Sequence, residues 1–393
     1  GGIYGNGVTG GTYVVLSDML GNHNIVVAGN LSGSLSDASV YTGYSYLKTR
    51  TNFGFALSQQ PYIRYAGSGF FPLEIQGQQR DVNASIYLRD VFRSGQVGAS
   101  YPFSTYSRIE ATAMGIDYHS EQLISGYDLQ TGEAISKTIN LGSLTFAEPQ
   151  AALVFDNSVF GWTGPVDGRR YRLQLSHTVG DINYGQALLD FRNYTNYKQK
   201  LVFANRLVGL ARSGRDSDRF ANYWGHSNFV RGYDYNSFDP NSDECVTSQY
   251  YGQSRSQSPC PTRDQLIGSN AVFFNSEVRY PVIDELQVGF LGNFPPVDAV
   301  AFFDGGVAWD NKVCTQQSTT TINGCTQSGL KDMHVVWDRK PGQDPYLYRE
   351  PLFSYGVGLR INVFYTVLRL DWAYPINRPD RHGVFSVGFG PSF

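Results

Sequence analysis

Along most of its length this chain alternates apolar and polar residues one by one, and nowhere does it carry the eighteen consecutive apolar residues that a membrane-spanning helix needs. Period-2 alternation sends successive side chains to opposite faces of an extended backbone, so it commits the chain to β-structure. Residues 168–180 set Arg170, Arg172, Gln174, Ser176 and Thr178 against Tyr171, Leu173, Leu175 and Val179. Residues 24–36 set Asn24, Asn30, Ser32 and Ser34 against Ile25, Val27, Leu31 and Leu35. In 366–375, Leu368, Leu370, Trp372 and Tyr374 oppose Arg369 and Asp371. At the end, Phe385, Val387, Phe389 and Phe393 oppose Ser386, Gly388, Gly390 and Ser392. A water-soluble sandwich turns such an apolar face inward. Here its size and its aromatics near strand ends suit lipid, with the polar face turned to a lumen.

Composition agrees with that inverted arrangement. A mean hydropathy of −0.29 argues for solubility only if the core is apolar, and a membrane barrel averages an apolar outside with a polar inside. Charged residues make up 17%, aromatics 15%, with 43 Gly and 27 Tyr. The net charge of −3 gives nucleic acid no electrostatic footing. A chain that opens on Gly1 reads as one whose leader or upstream domain has been removed, with residues 1–7 the stub and 8–393 the barrel.

Runs between turn signals predict sixteen strands: 8–20, 24–36, 38–50, 52–65, 76–90, 94–103, 105–124, 146–157, 168–180, 183–195, 198–211, 268–281, 297–310, 352–364, 366–375 and 383–393. The predicted fold is an all-β, sixteen-stranded antiparallel transmembrane barrel. The long loops 125–145, 212–267 and 311–351 all follow odd strands, which puts them on one side, read as external. Short turns such as Pro102–Tyr106, Gly164–Gly168 and Gly180–Asn183 are assigned to the other.

The four cysteines sit in the polar loops as two local pairs, Cys245 with Cys260 and Cys314 with Cys325. Local pairing closes the shorter loops and implies an oxidising compartment. A metal cluster is the competing reading, but no CxxC or neighbouring His supports it. Asp234, Asn236, Asp239, Asn241 and Asp243 form an oxygen-rich run without EF-hand spacing, so a solvated loop is expected there rather than a Ca²⁺ site. The six histidines are scattered, and no nucleophile elbow is present. No catalytic activity, cofactor or metal is expected.

Inside the loop 212–267 stands Val230-Arg231-Gly232-Tyr233. Two later strands carry acids on predicted inward faces. Glu277 shares its face with Phe273, Asn275 and Arg279, and Asp304 with Asp298, Val300 and Phe302. A guanidinium has five fixed donors, and two carboxylates in a confined lumen satisfy most of them. Gly232 suits a sharp turn and Tyr233 suits packing on the wall. A second feature is the seam where the first and last strands meet. Gly7, Gly10 and Gly11 lie at its start, and Gly388, Gly390, Pro391 and Phe393 at its end. Strand glycines pack weakly and proline donates nothing to a ladder, so this seam is expected to be weak; simple fraying of a terminus is the alternative.

These residues resemble the barrels of the BamA, TamA and two-partner-secretion family of outer-membrane assembly proteins and surface antigens. The specific match runs through Val230–Tyr233, then Gly268 to Glu277 and Tyr280-Pro281, then Ala301 through Asp310. The resemblance implies a long external loop folded into the lumen, with its arginine held by Glu277 and Asp304, and a lateral gate at the seam. The terminal Phe393, with aromatics at alternate positions before it, resembles the assembly signal of outer-membrane barrels. The resemblance also implies a bacterial outer-membrane location in contact with lipid, an unfolded polypeptide client, and periplasmic or lipoprotein partners. The expected role is insertion or translocation of polypeptide through the seam. No periplasmic POTRA modules stand before residue 8 in this sequence, so a structural or passive-transport subunit of a larger complex remains the second reading.

Overall fold

The computed structural model describes residues 8–75, 77–198, 200–234, 265–283, 286–288, 292–314, 330–340, 343–344, 347–363, 366–378 and 382–393. It is all-β. Fourteen strands follow one another along the sheet among the described residues. They are β1 (Val8–Ser17), β2 (His23–Tyr46), β3 (Asn52–Ile75), β4 (Gln78–Pro102), β5 (Ser107–Asp128), β6 (Ala134–Asp156), β7 (Pro165–Gly180), β8 (Tyr184–Tyr197), β9 (Leu201–Ser213), β10 (Asn270–Ile283), β11 (Val297–Trp309), β12 (Leu352–Val363), β13 (Thr366–Pro375) and β14 (Val384–Phe389). Contacts group the chain into two compact units, and within each the strand order is the chain order.

The first unit comprises Gly1–Phe103, Arg108–Ala151 and Ser176–Asn183. Its strands are long: β2 to β6 run 22 to 25 residues, against the 9–11 that a tilted strand needs to cross a bilayer. This length corrects the predicted count. Segments 24–36 and 38–50 are one strand, and so are 76–90 and 94–103. Polar residues in or beside the predicted breaks are wall contacts. Asp37 is buried and accepts from Arg89 Nη1 at 3.1 Å, while Arg89 also pairs with Glu121. Asp90 accepts from Tyr118 Oη at 2.8 Å and Ser120 Oγ at 2.7 Å. Inward polar groups that find partners leave the ladder uninterrupted. The same reason shrinks the expected loop 125–145 to a tight turn at 129–133. There Asp128 Oδ1 accepts from the amides of Gln130 (2.7 Å) and Thr131 (3.3 Å).

The second unit comprises Ser104–Ser107, Ala152–Leu175 and Tyr184–Phe393. Its ladders carry the inverted pattern clearly. On β10, Phe273, Asn275, Glu277 and Arg279 are buried, while Val272, Phe274 and Tyr280 are exposed. On β13, Arg369, Asp371 and Ala373 are buried while Trp372 and Tyr374 are exposed. The apolar face is therefore the outer one, as a lipid-facing wall requires.

The parity of the long loops survives in part. Counted along the fourteen strands, 214–269 and 310–351 again follow odd strands. The turn 181–183 does too, so it falls with them and not with Pro102–Tyr106 and Gly164–Gly168. A three-residue turn carries no length signal, so only the strand count assigns its side.

Each unit ends on an edge strand. β1 pairs on one side with Asn24–Gly33 of β2, and β14 pairs on one side with Leu368–Ala373 of β13. No ladder occupies their other edges among the described residues, so the sheet is not closed. The last strand also departs from its predicted path. Gly390 adopts φ +88° and turns the chain out of the ladder. Phe393 therefore does not continue the outward row of Phe385, Val387 and Phe389. It is buried against Tyr194 and Ala204, with the Arg279 guanidinium 5.5 Å from its ring centroid.

Candidate functional site: a buried arginine latch

The loop that follows β9 folds back onto the inner face of the second unit. Its start and end form a two-residue ladder, Asn222–Tyr223 with Ile267–Gly268. Trp224 Nε1 donates to the Gly268 carbonyl at 3.0 Å. Asp218 ties this stem to the beginning of the next long loop, accepting from Ser269 Oγ at 2.6 Å and from the amides of Asn311 (2.9 Å) and Lys312 (3.0 Å). An apolar cluster fills the space beneath: Val230, Tyr233, Trp224 and Leu266 from the loop meet Val208, Leu210, Phe273 and Leu352 from the wall. Gly306 makes room for it, since a Cβ there would stand 2.0 Å from the Phe273 ring.

Arg231 lies at the centre, 2% exposed, between Glu277 (1%) and Asp304 (0%). Its Nε and Nη2 form a fork on Asp304, at 2.6 and 2.7 Å, and its own amide adds a third bond at 3.2 Å. Nη1 donates to Glu277 Oε1 at 2.6 Å. The guanidinium lies 3.5 Å from the centroid of Phe302, so its flat face meets an aromatic ring. Antiparallel register explains the convergence. Asn275 pairs with Asp304 and Glu277 with Phe302 across β10 and β11, which brings both acids to one inner patch.

Sequence reasoning named three charges here; the structure shows a wider network. Glu277 also accepts from Arg279 Nε at 2.8 Å and Arg360 Nη2 at 3.0 Å. Arg360 bridges to Asp371 Oδ1 at 2.8 Å and to Ser392 Oγ at 2.8 Å. Asn275 Nδ2 joins Asp304 Oδ1 (2.9 Å) to the Phe229 carbonyl of the loop (2.6 Å). Arg360 and Arg369 face each other in the β12–β13 register, a costly like-charge pair unless each finds other partners. Arg360 does so through Glu277 and Asp371. Gly358 permits it, because a Cβ there would stand 2.4 Å from Asp371 Oδ1 and 3.0 Å from Arg360 Nη1. Alternation put Arg279, Arg369 and Asp371 on inward faces; nothing in a single sequence says which inward charges meet across strands.

Around the arginine, Val230 is fully buried in the apolar cluster. Gly232 adopts φ +85°, which L side chains rarely take, and a Cβ there would lie 3.2 Å from Ala373 Cβ. Arg378 Nη1 donates to the Gly232 carbonyl at 3.0 Å. Tyr233 Oη donates to the Phe353 carbonyl at 3.0 Å and accepts from the Asn377 amide at 3.2 Å. The loop is thus fastened to β10, β11, β12 and β13 and to the turn after β13.

The remaining residues singled out in the sequence are placed less completely. Gly10 and Gly11 lie in β1, Gly388 lies in β14, and Gly390, Pro391 and Phe393 follow it. Gly7 falls outside the described residues, as do Cys245, Cys260, Cys325, the side chain of Cys314, and Asn236, Asp239, Asn241 and Asp243. Asp234 is half-buried at the edge of the described loop.

What the arrangement does is hold a loop. A buried ion-pair network is weak proof of net stability, since desolvation offsets much of the attraction. Breaking it is costly, however, so the network fixes the loop in one position.

Comparison with known proteins agrees with this architecture. The Omp85 superfamily domain matches residues 30–393, and the chain belongs to that superfamily. Among solved structures, it is similar to BamA from Haemophilus ducreyi lacking POTRA domains 1-3, with a TM-score of 0.58 at 13% identity, covering 98% of this chain and 68% of that one. CdiB from Escherichia coli gives a TM-score of 0.48 at 13% identity, covering 96% of this chain and 58% of that one. CdiB from Acinetobacter baumannii gives 0.47 at 12%, covering 97% and 55%. At these identities the likeness is one of fold. No curated protein matches the sequence.

Proposed function

We propose that this chain forms a bacterial outer-membrane barrel that inserts or translocates polypeptide through a lateral seam between β1 and β14. The observation that carries this reading is the construction of β14. Its ladder to β13 spans only Val384–Phe389, and Gly390 then turns the chain inward. A short strand whose outer edge carries no ladder among the described residues is a template for β-augmentation, the way one chain captures an extended segment of another. The Arg231 latch supports it from the neighbouring wall: Glu277 and Asp304, with Asp371 3.8 Å from Arg231, hold β10, β11 and β13 to the loop. Membership of the Omp85 superfamily makes polypeptide the natural client class. The proposal assigns no catalytic residue and no cofactor.

The test is a set of cysteine pairs placed across Val8–Ser17 and Val384–Phe389, oxidised in a background lacking the native cysteines. A pair within disulfide reach, with Cα atoms about 4.4–6.8 Å apart, locks the seam. Client assembly or secretion by the locked protein should fall to background and return on reduction. Undiminished activity in a fully oxidised sample would sink the gate and favour a structural or passive-transport subunit.

A further inference from the structure

A cavity of about 310 Å³ lies on the inner face of the second unit, beside the end of β14 and separate from the latch carboxylates. Its charged lining is Arg170, Arg192, Arg206 and Arg369, joined by Tyr194 and Ser392. The ion pairs leave this lining short of negative charge. Asp190 is shared by Arg192, at 2.9 and 2.7 Å, and Arg206, at 3.2 and 2.9 Å. Asp156 lies 3.6 Å from Arg170. Arg369 has no carboxylate within 4 Å among the described residues. Four guanidinium groups thus have two carboxylates in direct contact among the described residues.

Arg369 is the most telling member. It is 6% exposed, its Nη2 donates to Asn228 Oδ1 at 3.0 Å, and its buried Nε has no partner among the described residues. A buried N–H of a charged group without an acceptor is rare and costly. Its position is built in by the opposite strand: Gly388 faces Arg369 in the register, and a Cβ there would stand 2.8 Å from Nη2 and 3.1 Å from Nε. Any other residue at 388 would press on that guanidinium. The sequence therefore keeps a buried arginine, keeps space over it, and gives it no carboxylate in direct contact among the described residues; Asp371, Glu277 and Asp234 act on it only from further away.

We propose that this cavity binds a phosphate-type oxyanion, with Arg369 Nε and Arg170 as the principal donors. Guanidinium forks match the geometry of phosphate oxygens, and an excess of guanidinium over directly paired carboxylate favours a dianion over a monocarboxylate. The volume sits at the small end of ligand pockets, about 300 Å³ upward, which suits inorganic phosphate or one lipid headgroup. Both sources present the same chemistry to the site. The inference does not rest on the seam, and its failure would leave the insertase reading intact.

The experiment uses the purified chain in neutral detergent and phosphate-free buffer at constant ionic strength. Inorganic phosphate, sodium acetate and a short-chain phosphatidylglycerol are titrated separately by calorimetry. Saturable binding of phosphate or of the lipid, with acetate inert, is expected. Arg369→Gln and Arg170→Gln should each weaken it by about tenfold or more. Arg170 is half-exposed and outside the latch, so its variant tests the site even where Arg369→Gln folds poorly. Heat-modifiable mobility of each variant reports folding independently. Binding of phosphate alone identifies a free anion as the source; binding of the lipid alone identifies a headgroup. The inference is overturned if neither binds, if acetate binds as well as phosphate, or if folded Arg170→Gln binds as the parent does.

Discussion

Replacing Arg231 by alanine should expose an asymmetry between its two acids that the structure makes calculable. Glu277 would keep Arg279 at 2.8 Å and Arg360 at 3.0 Å, so its charge stays compensated. Among the described residues Asp304 would keep a backbone amide and Asn275 Nδ2 and no other cation in contact. The cost therefore falls almost wholly on Asp304. Stranding a fully buried charge this way costs about 3–5 kcal/mol. At roughly 2 °C per kcal/mol, the smaller shift found for larger domains, the midpoint should drop by about 6–10 °C. A double-mutant cycle isolates the cause. Arg231→Ala with Asp304→Asn should recover a coupling energy of about 2–3 kcal/mol, because the stranded charge is gone. Arg231→Ala with Glu277→Gln should recover little or lose more, since it leaves Arg279 and Arg360 short of an acid. The assay is the temperature at which the folded, fast-migrating gel band disappears, paired with limited proteolysis of the loop. If unfolding proves irreversible, unfolding rates at one temperature replace midpoints. Equal recovery from the two double variants, or no loss from Arg231→Ala, would refute the argument.

Two smaller changes address how the loop is seated. Gly232→Ala meets both a φ of +85° and Ala373 Cβ at 3.2 Å, so a loss of about 1–3 kcal/mol is expected, with earlier cleavage of the loop by protease. Tyr233→Phe removes one donated and one accepted hydrogen bond while keeping the ring, and should cost about 1–2 kcal/mol without freeing the loop. A loop released as fully by Tyr233→Phe as by Arg231→Ala would show that the aromatic anchor, and not the ion pairs, holds it.

Much of the wall was legible from alternation. Glu277, Asp304, Asp371 and Arg369 were put on inward faces by parity alone, because a strand's side-chain period is two and any exception costs a buried mismatch. Strand ends were less legible. Asp37 fell in a predicted break and Asp128 in a long loop, since aspartate is common in turns, while Asp90 ended a predicted strand. Only the partners across the sheet, Arg89 for Asp37, Tyr118 and Ser120 for Asp90, show that the strands run on through these positions. Phe393 was misplaced for a related reason. Alternation extrapolates a strand to its last residue, and a single positive φ at Gly390 ends it.

The sequence by itself settled that this chain is an antiparallel β-protein with its apolar face outward, and that one arginine in its longest loop stands apart. Those are local properties, written in a two-residue period and a four-residue motif. Only tertiary structure decided how many strands the period divides into, and that Arg279, Arg360 and Asp371 join Arg231 around Glu277. It also decided that Arg369 lies over Gly388 with a buried donor unpaired among the described residues. Each of these depends on register between strands distant in sequence, and register is fixed by turn geometry and packing that no local pattern encodes.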